Sequence, residues 1–598
     1  MIAGTSYYPD NFPETEWSSD LERIRDSGLK LVRFGEFSWQ WYERHEGEFD
    51  FSAFDRFMDL AHRVGLGVVL CTGTAAPPSW LLHRYPQVYM IDQHGERHPG
   101  GRHMMSYNDP TALRLGERAI RTLAEHYRHH PALYGWQIDN EPTMGESAEP
   151  ERMYDYHPST LARFIEFLRR RYPSLDDLNR AWHTSFWSRT YTNWEEIEPP
   201  FSAKHPGNPG LWLAWMRFRA QNVADWVAWQ RDLLRSVDPT FQIGTNIPET
   251  GPQGNAWFGQ DYAWQAQGLD YVGADVYAFQ GDRAKEAAMI AYSCDVVRSA
   301  AHEAGAAFWV SETAGGPPRK PWAAGGWWGE EFLAPATETF YRHGAEVLLY
   351  FRWRAEPGGA EFGGHATVGF DGAPSPLSSG LRKMLDAPAG QAKVESPVYL
   401  HYSQDSFRLA AGWDPHFAAG PTVHGWHRWF TDHDMDVCFL SDAGLTAKTW
   451  RPQDTLVLPY TTVLGKDLAS AVDRAVQAGA QVILAPFTGF FDQEALFYPI
   501  APGPRLYTLS GVQVQTLAAP GERPARWEHH PEHLLPVLRA VAKVEGPILS
   551  RTEDGEPLIV ATRRVVSFLF DLGTLYETAA VTEREWLRRY LDARLGAS

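Results

Sequence analysis

Two glutamates, Glu141 and Glu312, each close a short apolar run and could bring two carboxyl groups to one site. Glu141 is the last residue but one of the stretch 136–142 (WQIDNEP), and Glu312 ends 308–312 (FWVSE). Hydrolysis of a glycosidic bond needs such a pair, because one carboxyl protonates the leaving oxygen while the other attacks the anomeric carbon or activates water. Asn140, beside Glu141, adds an amide that can donate to a sugar 2-hydroxyl.

The elements that must position these residues are strands of a parallel sheet. The first two-thirds of the chain alternates apolar runs with amphipathic helical patterns, which predicts βα units. Eight runs have the continuous apolar character of strands buried on both faces; they are 2–8, 29–34, 67–72, 133–139, 241–245, 271–277, 307–312 and 347–351. Eight such units predict a TIM (β/α)8 barrel, whose chemistry lies at the carboxyl ends of the strands. Glu141 and Glu312 then mark the ends of strands four and seven, which favours a catalytic pair over helix-capping or surface residues.

The barrel is predicted to occupy residues 1–388, with an insertion at about 143–239 that is too long for a simple crossover. After the stretch 386–390 (DAPAG), short strands and helices alternate again. This pattern predicts a doubly wound α/β domain over residues 389–598. Within it, residues 507–517 and 548–570 are predicted to be strands, and 583–595 a closing helix.

Composition excludes several classes of function. The formal net charge is −19, from 55 basic and 74 acidic side chains, and this balance disfavours nucleic acid and anionic membrane surfaces as partners. No secretory leader and no membrane-spanning run is visible. The cysteines (Cys71, Cys294 and Cys438) are too few and too scattered for a disulfide framework, so a cytoplasmic location is expected. Nucleotide-binding and metalloprotease motifs are absent, and no cofactor or metal is predicted.

Several strings give the chain a specific resemblance. They are 8–13 (YPDNFP), 34–39 (FGEFSW), 74–81 (TAAPPSWL), 138–141 (IDNE), 178–184 (LNRAWHT), 350–354 (YFRWR) and 358–361 (GGAE) with His365. Together they resemble glycoside hydrolase family 42, the β-galactosidases. The similarity runs the length of the barrel and continues more loosely into the second domain. Some members of this family bind zinc through cysteines near the barrel mouth, and residues 104–150 contain no cysteine. Pro142-Thr143 also stands where the family has an aromatic–glycine pair.

The resemblance implies a role for each matching position. Glu141 would be the acid/base and Glu312 the nucleophile, with the pKa of Glu141 raised so that it stays protonated. The implied substrate-binding residues are Arg102, Asn140, Trp182, Trp322, Glu361 and His365. Trp182 would reach either its own site or that of a neighbouring subunit. Supporting positions are Arg33, Glu36, Tyr277 and Phe351; Arg33 would either keep Glu312 ionised or form a purely structural ion pair.

The activity implied is hydrolysis of terminal, non-reducing β-D-galactose by a retaining double displacement through a covalent galactosyl-enzyme. Two alternatives stay open. One is a related retaining β-glycosidase preferring α-L-arabinopyranosides, β-D-fucosides or galacto-oligosaccharides, and the other is a catalytically silent sugar-binding protein. The resemblance also implies a homotrimer, a glutamine-amidotransferase-like second domain that serves association, and a small C-terminal β-domain that is reduced or absent.

Overall fold

In the computed structural model of the chain, eight parallel strands close into a barrel within the described residues. Those residues are 2–595 apart from 98, 146–151, 202–206, 278–282, 318–329, 387–397, 414–418, 519–524, 536 and 538. The barrel strands are β1 (Ile2–Ser6), β2 (Leu31–Phe34), β3 (Gly67–Cys71), β4 (Leu133–Ile138), β5 (Ile243–Pro248), β6 (Tyr271–Asp275), β7 (Ala307–Ala314) and β8 (Val347–Phe351). Each predicted strand overlaps one of them, so the TIM barrel is confirmed.

Large side chains pack the interior of the barrel. The rings of Tyr271 and Trp309 stack with their centroids 3.5 Å apart, and both side chains are buried with Leu31, Val69 and Leu349. The small residue Gly244 makes this packing possible, because a Cβ atom there would lie 2.4 Å from the Tyr271 ring. The barrel is therefore a filled core, and a ligand has to bind at its rim.

Helices follow most of the barrel strands. Those of the barrel and its insertion are Glu14–Asp26, Trp39–Tyr42, Ser52–Val64, Ser79–Arg84, Pro110–Tyr127, Pro158–Arg171, Leu175–Ala181, Pro209–Val237, Gly251–Phe258, Tyr262–Gln265, Arg283–Glu303, Glu330–Arg342 and Pro376–Leu385. Short 3-10 turns occur at Pro9–Asn11, Pro86–Val88, Phe186–Ser188 and Trp194–Glu196, and Glu43–His45 pairs with Glu48–Phe49 in a hairpin. None of the helices in the described part of the chain is long and apolar enough to cross a membrane.

The chain divides into two compact units. The barrel unit consists of Met1–Phe164, Phe218–Thr250 and Phe258–Lys393, and the second unit of Ile165–Arg217, Gly251–Trp257 and Val394–Ser598. These units differ from the predicted division at 388/389, because the boundary falls at 393/394 and two earlier segments, one of them Gly251–Trp257, belong to the second unit. The middle of the insertion, Ile165–Arg217, groups with the C-terminal part of the chain rather than with the barrel.

The second unit contains the predicted doubly wound sheet. Strands β9 (Val398–His401), β10 (Val437–Leu440), β11 (Thr455–Leu458) and β12 (Gln481–Leu484) are parallel. The strands that follow are β13 (Val512–Ala518), β14 (Arg526–Trp527), β15 (His530–Leu534), β16 (Arg539–Val544), β17 (Ile548–Arg551), β18 (Pro557–Ala561) and β19 (Val565–Phe568). The sheet order is β10-β9-β11-β12-β19-β18-β17, in which β18 and β17 are antiparallel additions.

Beside this sheet, β13 pairs with β16 and β14 with β15 as antiparallel two-stranded sheets. In the chain, these pairs lie between β12 and β17 of the seven-stranded sheet. The remaining helices are Gln404–Trp413, Ala419–Thr431, Asp442–Ala447, Lys466–Gln477, Pro504–Ser510, Leu572–Thr578 and Val581–Leu595.

The predicted strand 507–517 is wrong in its first part. Residues Pro504–Ser510 form a helix, and only Val512–Ala518 is extended. The reason is local: Pro504 occupies the first turn of the helix, and Gly511 ends it in the left-handed conformation at φ 64°. This is the usual placement of proline and glycine at the two ends of a helix.

Candidate active site

A cavity of about 210 Å³ opens at the rim of the barrel, and all of its lining residues belong to the barrel unit. The lining is Phe37, Arg102, Asn140, Glu141, Tyr277, Glu312, Phe351, Glu361 and His365. Apart from Phe37, every one of these is a residue that the sequence predicted for the site. The volume lies below the roughly 300–1,000 Å³ of cavities that hold drug-sized ligands, so it suits a ligand of monosaccharide size.

The two predicted catalytic carboxyls meet at this cavity. Oxygen atoms of Glu141, Glu312 and a third carboxyl, Asp275, all lie within 4.8 Å of one another. Retaining glycosidases hold their two carboxyl groups about 5–5.5 Å apart, whereas inverting enzymes need roughly 6.5–9.5 Å to admit a water molecule between them. The spacing of Glu141 and Glu312 therefore fits direct attack on a sugar rather than attack through an intervening water.

A strained turn at the end of β4 presents Asn140 and Glu141. Asp139 and Glu141 both adopt left-handed backbone conformations, at φ 54° and 48°. The buried carboxylate of Asp139 holds the turn, because it accepts from the Asn140 N–H, the Thr74 hydroxyl and the Trp226 indole, each at 2.7 Å. Non-glycine residues in this conformation persist where surrounding contacts enforce them, and such strain clusters at functional sites.

Glu312 approaches the cluster because β6 and β7 are out of regular register. Ala274 pairs with Val310, but Asp275 pairs with Glu312 rather than with Ser311. Gly273 permits the close approach of the two strands, since a Cβ atom there would lie 1.8 Å from the Ser311 hydroxyl oxygen. The irregularity acts as a bulge that turns the Glu312 carboxyl towards the same edge as Asp275.

Both carboxylate oxygens of Glu312 have donors. Arg33 Nη1 donates to Oε1 at 2.7 Å, and the Tyr277 hydroxyl donates to Oε2 at 2.6 Å. Tyr277 remains a phenol, because burial and the charge of Glu312 raise the pKa of its hydroxyl well above the ordinary value. Two donors, one of them charged, stabilise the ionised form that a nucleophile requires.

Arg33 and Glu36 lie behind the cavity and complete a buried ion network. The two side chains are fully buried and lie 3.0 Å apart, and Tyr8 donates to Glu36 at 2.6 Å. Arg33 Nη2 also donates to Asn140 Oδ1 at 2.5 Å. The predicted alternatives for Arg33, support of Glu312 and a structural ion pair, are thus combined in one side chain.

Glu141 is paired with Arg102, whose Nη2 atom lies 2.6 Å from Oε2. Burial raises the pKa of Glu141 above its ordinary value, Arg102 lowers it, and the charge of Glu312 raises it again. The net direction is the predicted one. A carboxyl group with a raised pKa keeps its proton near neutral pH and can act as a general acid.

Asn140 presents a donor to the cavity. Its side-chain oxygen accepts from Arg33 at 2.5 Å and from Asn246 Nδ2 at 2.9 Å. With that oxygen satisfied twice, the amide N–H groups at the cavity are donors of the kind that a sugar hydroxyl can accept from. Asn246 was not predicted; its own side-chain oxygen accepts from the Glu141 N–H at 2.9 Å.

The far wall of the cavity carries Glu361 and His365. Arg352 Nη2 donates to Glu361 Oε2 at 2.5 Å, and its guanidinium lies 3.9 Å from the centroid of the Phe351 ring. Burial and the charge of Arg352 lower the pKa of His365 to about 4. The imidazole is therefore neutral at physiological pH and offers one donor and one acceptor, which suits a sugar hydroxyl.

Two predicted substrate contacts do not join this set. Trp182 belongs to the second unit, where its side chain is 1% exposed and its indole N–H donates to the Tyr172 hydroxyl at 2.8 Å. A ring buried to this degree favours a packing role for Trp182, and its contact with substrate stays a prediction. Trp322 lies outside the described residues.

Three residues of the site were not predicted from the sequence. Asp275 is the last residue of β6, and the rule that selected Glu141 and Glu312, a carboxyl at a strand end, would have found it had the strand not been extended to residue 277. Asn246 lies one residue beyond the predicted end of its strand. Phe37 carries no signal beyond its position next to Glu36.

The carboxyls of Glu141, Asp275 and Glu312 are also the one group among the described residues with the spacing to hold a metal ion. Their charge is already compensated in part, because Arg33 contacts Glu312 and Arg102 contacts Glu141. We therefore assign the cluster to proton chemistry. The absence of a metal requirement stays a prediction.

A barrel with two glutamates at the ends of its fourth and seventh strands, spaced for double displacement, defines the site of a retaining glycosidase. Comparisons with known proteins agree. The sequence model of the β-galactosidase family, glycoside hydrolase family 42, matches residues 6–377, and that of the β-galactosidase trimerisation domain matches 399–528. The chain belongs to this family.

Relatives of known activity and solved structures extend the match to most of the chain. A β-galactosidase of Thermus thermophilus is 31% identical over 88% of this chain and 77% of its own length. The β-galactosidase BgaH of Haloferax lucentense is 29% identical over 89% of this chain and 78% of its own. The structure of a β-galactosidase from Halorubrum lacusprofundi shares the fold, with a TM-score of 0.88, 24% identity and coverage of 100% of this chain and 90% of that one.

Proposed function

We propose that the chain is a retaining exo-β-galactosidase, in which Glu141 is the acid/base and Glu312 is the nucleophile. The observation that carries this proposal is the approach of their oxygen atoms to within 4.8 Å in the lining of a cavity of monosaccharide size. The names of the family and of the relatives above support galactose as the sugar.

The first step forms a covalent intermediate. Protonated Glu141 gives its proton to the glycosidic oxygen as the bond between that oxygen and the anomeric carbon breaks. A carboxylate oxygen of Glu312 attacks the same carbon from the opposite face and forms an ester. Arg33 and Tyr277 hold the Glu312 carboxylate in place for this attack.

The second step releases the sugar. Glu141, now ionised and paired with Arg102, takes a proton from water, and the hydroxide oxygen attacks the anomeric carbon. The bond to Glu312 breaks, and galactose leaves with the configuration it had in the substrate. Two inversions at one carbon give net retention.

Recognition of galactose is assigned to Arg102, Asn140, Glu361 and His365. A site built to hydrogen-bond a hydroxyl rejects an analogue that lacks it or presents it elsewhere, because a buried polar group is then left unpaired. Glu361 is assigned to this discrimination because Arg352, which is buried, holds its half-exposed carboxylate in one orientation at the cavity wall. Glu361→Gln should therefore reduce the preference for the β-galactoside over the β-glucoside.

The roles of the two glutamates can be tested separately by chemical rescue. With an activated aryl galactoside and azide, Glu312→Gly should yield α-galactosyl azide, because azide enters the space that the nucleophile left. Glu141→Gly should yield β-galactosyl azide, since azide then attacks the ester on Glu312. Glu43→Gln, which changes a buried carboxyl outside the cavity, is the matched control and should give no azide adduct. Adducts of the opposite configuration would reverse the assignment.

The alternative activities are separated by a substrate panel. The nitrophenyl β-D-galactoside, β-D-fucoside and α-L-arabinopyranoside share the ring hydroxyls but differ at the carbon outside the ring. The highest kcat/KM on the galactoside supports the proposal, and a clear preference for either of the others favours a related β-glycosidase. Absence of turnover on all three by the folded protein would indicate a silent sugar-binding protein.

We also propose that the protein assembles as a homotrimer, supported by the match of residues 399–528 to a trimerisation domain. Sedimentation equilibrium tests it: three times the chain mass of 67.6 kDa is expected, and a monomeric or dimeric mass would contradict it. The buried thiols Cys71 and Cys294 suit the predicted cytoplasmic location.

A further inference from the structure

We infer that Asp275 is an uncharged carboxylic acid in the resting enzyme, a positioning residue that donates a hydrogen bond to Glu141 and leaves Glu312 as the ionised member of the three neighbouring carboxyls. The role given to this proton in catalysis rests on the proposed function. The protonation state of Asp275 can be measured independently of activity.

The surroundings of Asp275 favour a neutral acid. Its side chain is 2% exposed at the end of β6, and Oδ2 accepts from Asn246 Nδ2 at 2.7 Å. Its other oxygen, Oδ1, is buried, and no donor among the described residues contacts it. Glu141, by contrast, is within hydrogen-bonding reach of the Asp275 carboxyl. A proton on Asp275 gives the buried oxygen a partner and removes the repulsion between the two groups.

The count of charges gives the same result. The ion network of the site contains four carboxyls and two guanidiniums, namely Glu36, Glu141, Asp275 and Glu312 with Arg33 and the partly exposed Arg102. The charges balance when two carboxyls carry protons. Glu141 carries one of these two protons, because it is the proposed general acid. Since Glu36 and Glu312 both contact Arg33 directly, the second proton belongs to Asp275.

Burial and the neighbouring carboxyls favour the protonated form of Asp275. Burial raises the pKa of Asp275 well above its ordinary value, and the charges of Glu312 and Glu141 raise it further, while the charge of Arg33 lowers it. Tyr277, which also lies at this edge, is a phenol that donates to Glu312 and adds no positive charge.

This arrangement keeps the charge of the cluster constant through the reaction. When Glu312 forms the ester it loses its negative charge, and at the same moment Glu141 gains one by releasing its proton. The Asp275 O–H and Arg102 then stabilise the Glu141 carboxylate until it takes a proton from water. A second carboxylate at position 275 would instead oppose each ionisation.

Asp275→Asn is the decisive variant, because asparagine is neutral, of the same shape, and able to donate to Glu141 and accept from Asn246. If Asp275 is uncharged, the basic limb of the kcat/KM profile should stay within about half a pH unit of the wild type. If Asp275 is ionised, removing its negative charge should lower the pKa of Glu141 and move the basic limb to lower pH by about one unit or more. That result would overturn the inference. Asp275→Ala removes the hydrogen bonds to Glu141 and Asn246, so its kcat/KM should be about tenfold lower than that of Asp275→Asn.

Infrared spectroscopy reads the proton directly in the full-length protein. Aspartate labelled with heavy carbon at its side-chain carboxyl should shift a protonated-acid carbonyl band at neutral pH, and the Asp275→Asn variant should lack that labelled band. A labelled spectrum with carboxylate bands only would refute the inference even if the variant folds poorly. An activity that disappears on chelation and returns with a divalent cation would also refute it, since the cluster would then hold a metal ion. An inactive protein that shows the band would contradict the proposed hydrolysis but not the state of Asp275.

Discussion

Arg33 Nη1 lies 2.7 Å from Glu312 Oε1, while Nη2 of the same guanidinium lies 2.5 Å from the Asn140 side-chain oxygen and 3.0 Å from Glu36. One fully buried cation therefore links the second, fourth and seventh strands of the barrel. It joins the proposed nucleophile to the residue beside the proposed acid. Orientation of the site and stability of the barrel thus depend on the same side chain.

Replacing Arg33 should affect both properties. Arg33→Met leaves Glu36 and Glu312 buried without their cation, and removing one partner of a buried pair costs about 3–5 kcal/mol. Arg33→Lys keeps the positive charge but lacks the planar guanidinium that reaches several acceptors. Compared with Arg33→Met, it should therefore regain much of the free energy of unfolding but little of kcat. Denaturant unfolding and kcat/KM measure the two effects. Equal unfolding midpoints for Arg33→Met and the wild type would show that the network is not stabilising.

The pH profile should respond to Arg102. Activity requires protonated Glu141 and therefore falls as pH rises through its pKa. Arg102 lowers that pKa, so Arg102→Met should raise it and move the basic limb of kcat/KM to higher pH. KM should rise as well, because Arg102 also lines the cavity. A basic limb that moves to lower pH would assign it to a group other than Glu141.

Stability above neutral pH should be limited by Glu356. Its side chain is 9% exposed and lies 3.4 Å from Arg352, and burial raises the pKa of its carboxyl to about 7. The folded protein therefore binds this proton more tightly than the unfolded chain, and stability is lost as pH rises from the unfolded pKa near 4.5 to about 7.

Glu356→Gln removes this titration. The difference in melting temperature between variant and wild type should be small at pH 5 and should grow in favour of the variant up to pH 8. The limiting gain is on the order of 3 kcal/mol by linkage, before the lost ion pair with Arg352 is subtracted. Thermal unfolding across this range is the measurement. A difference that is constant with pH would show that Glu356 does not titrate between pH 5 and 8.

Trp182 should behave as a structural residue. Trp182→Phe removes the donor to the Tyr172 hydroxyl and part of the buried ring, which should lower stability by about 1–3 kcal/mol. KM and kcat at a temperature where the variant is folded should match the wild type. A KM raised tenfold with unchanged melting temperature would restore Trp182 to the substrate site.

Much of the site could be predicted because of a simple property of parallel barrels. Strands that run in one direction end at one rim, so the carboxyls that close the apolar runs of β4 and β7 had to lie on the same face of the barrel. This is why Glu141 and Glu312, over 150 residues apart in sequence, were assigned to one site. The runs themselves were evident because strands covered on both faces are apolar throughout.

Other features depended on details of packing that no local pattern records. The register shift between β6 and β7 decides that Asp275, rather than its neighbours, lies beside Glu312. Trp182 has mainly polar neighbours in the sequence, and its burial depends on which elements pack around it.

The sequence by itself thus determined the fold class, the order of the strands and the identity of the two glutamates, because periodicity and strand direction follow from local chemistry. Only the tertiary structure decided the distances within the cluster, the guanidinium that each carboxylate contacts, and the third carboxyl that completes it. Those quantities depend on the register and close approach of segments far apart in the chain, and such contacts are settled only when the whole barrel is packed.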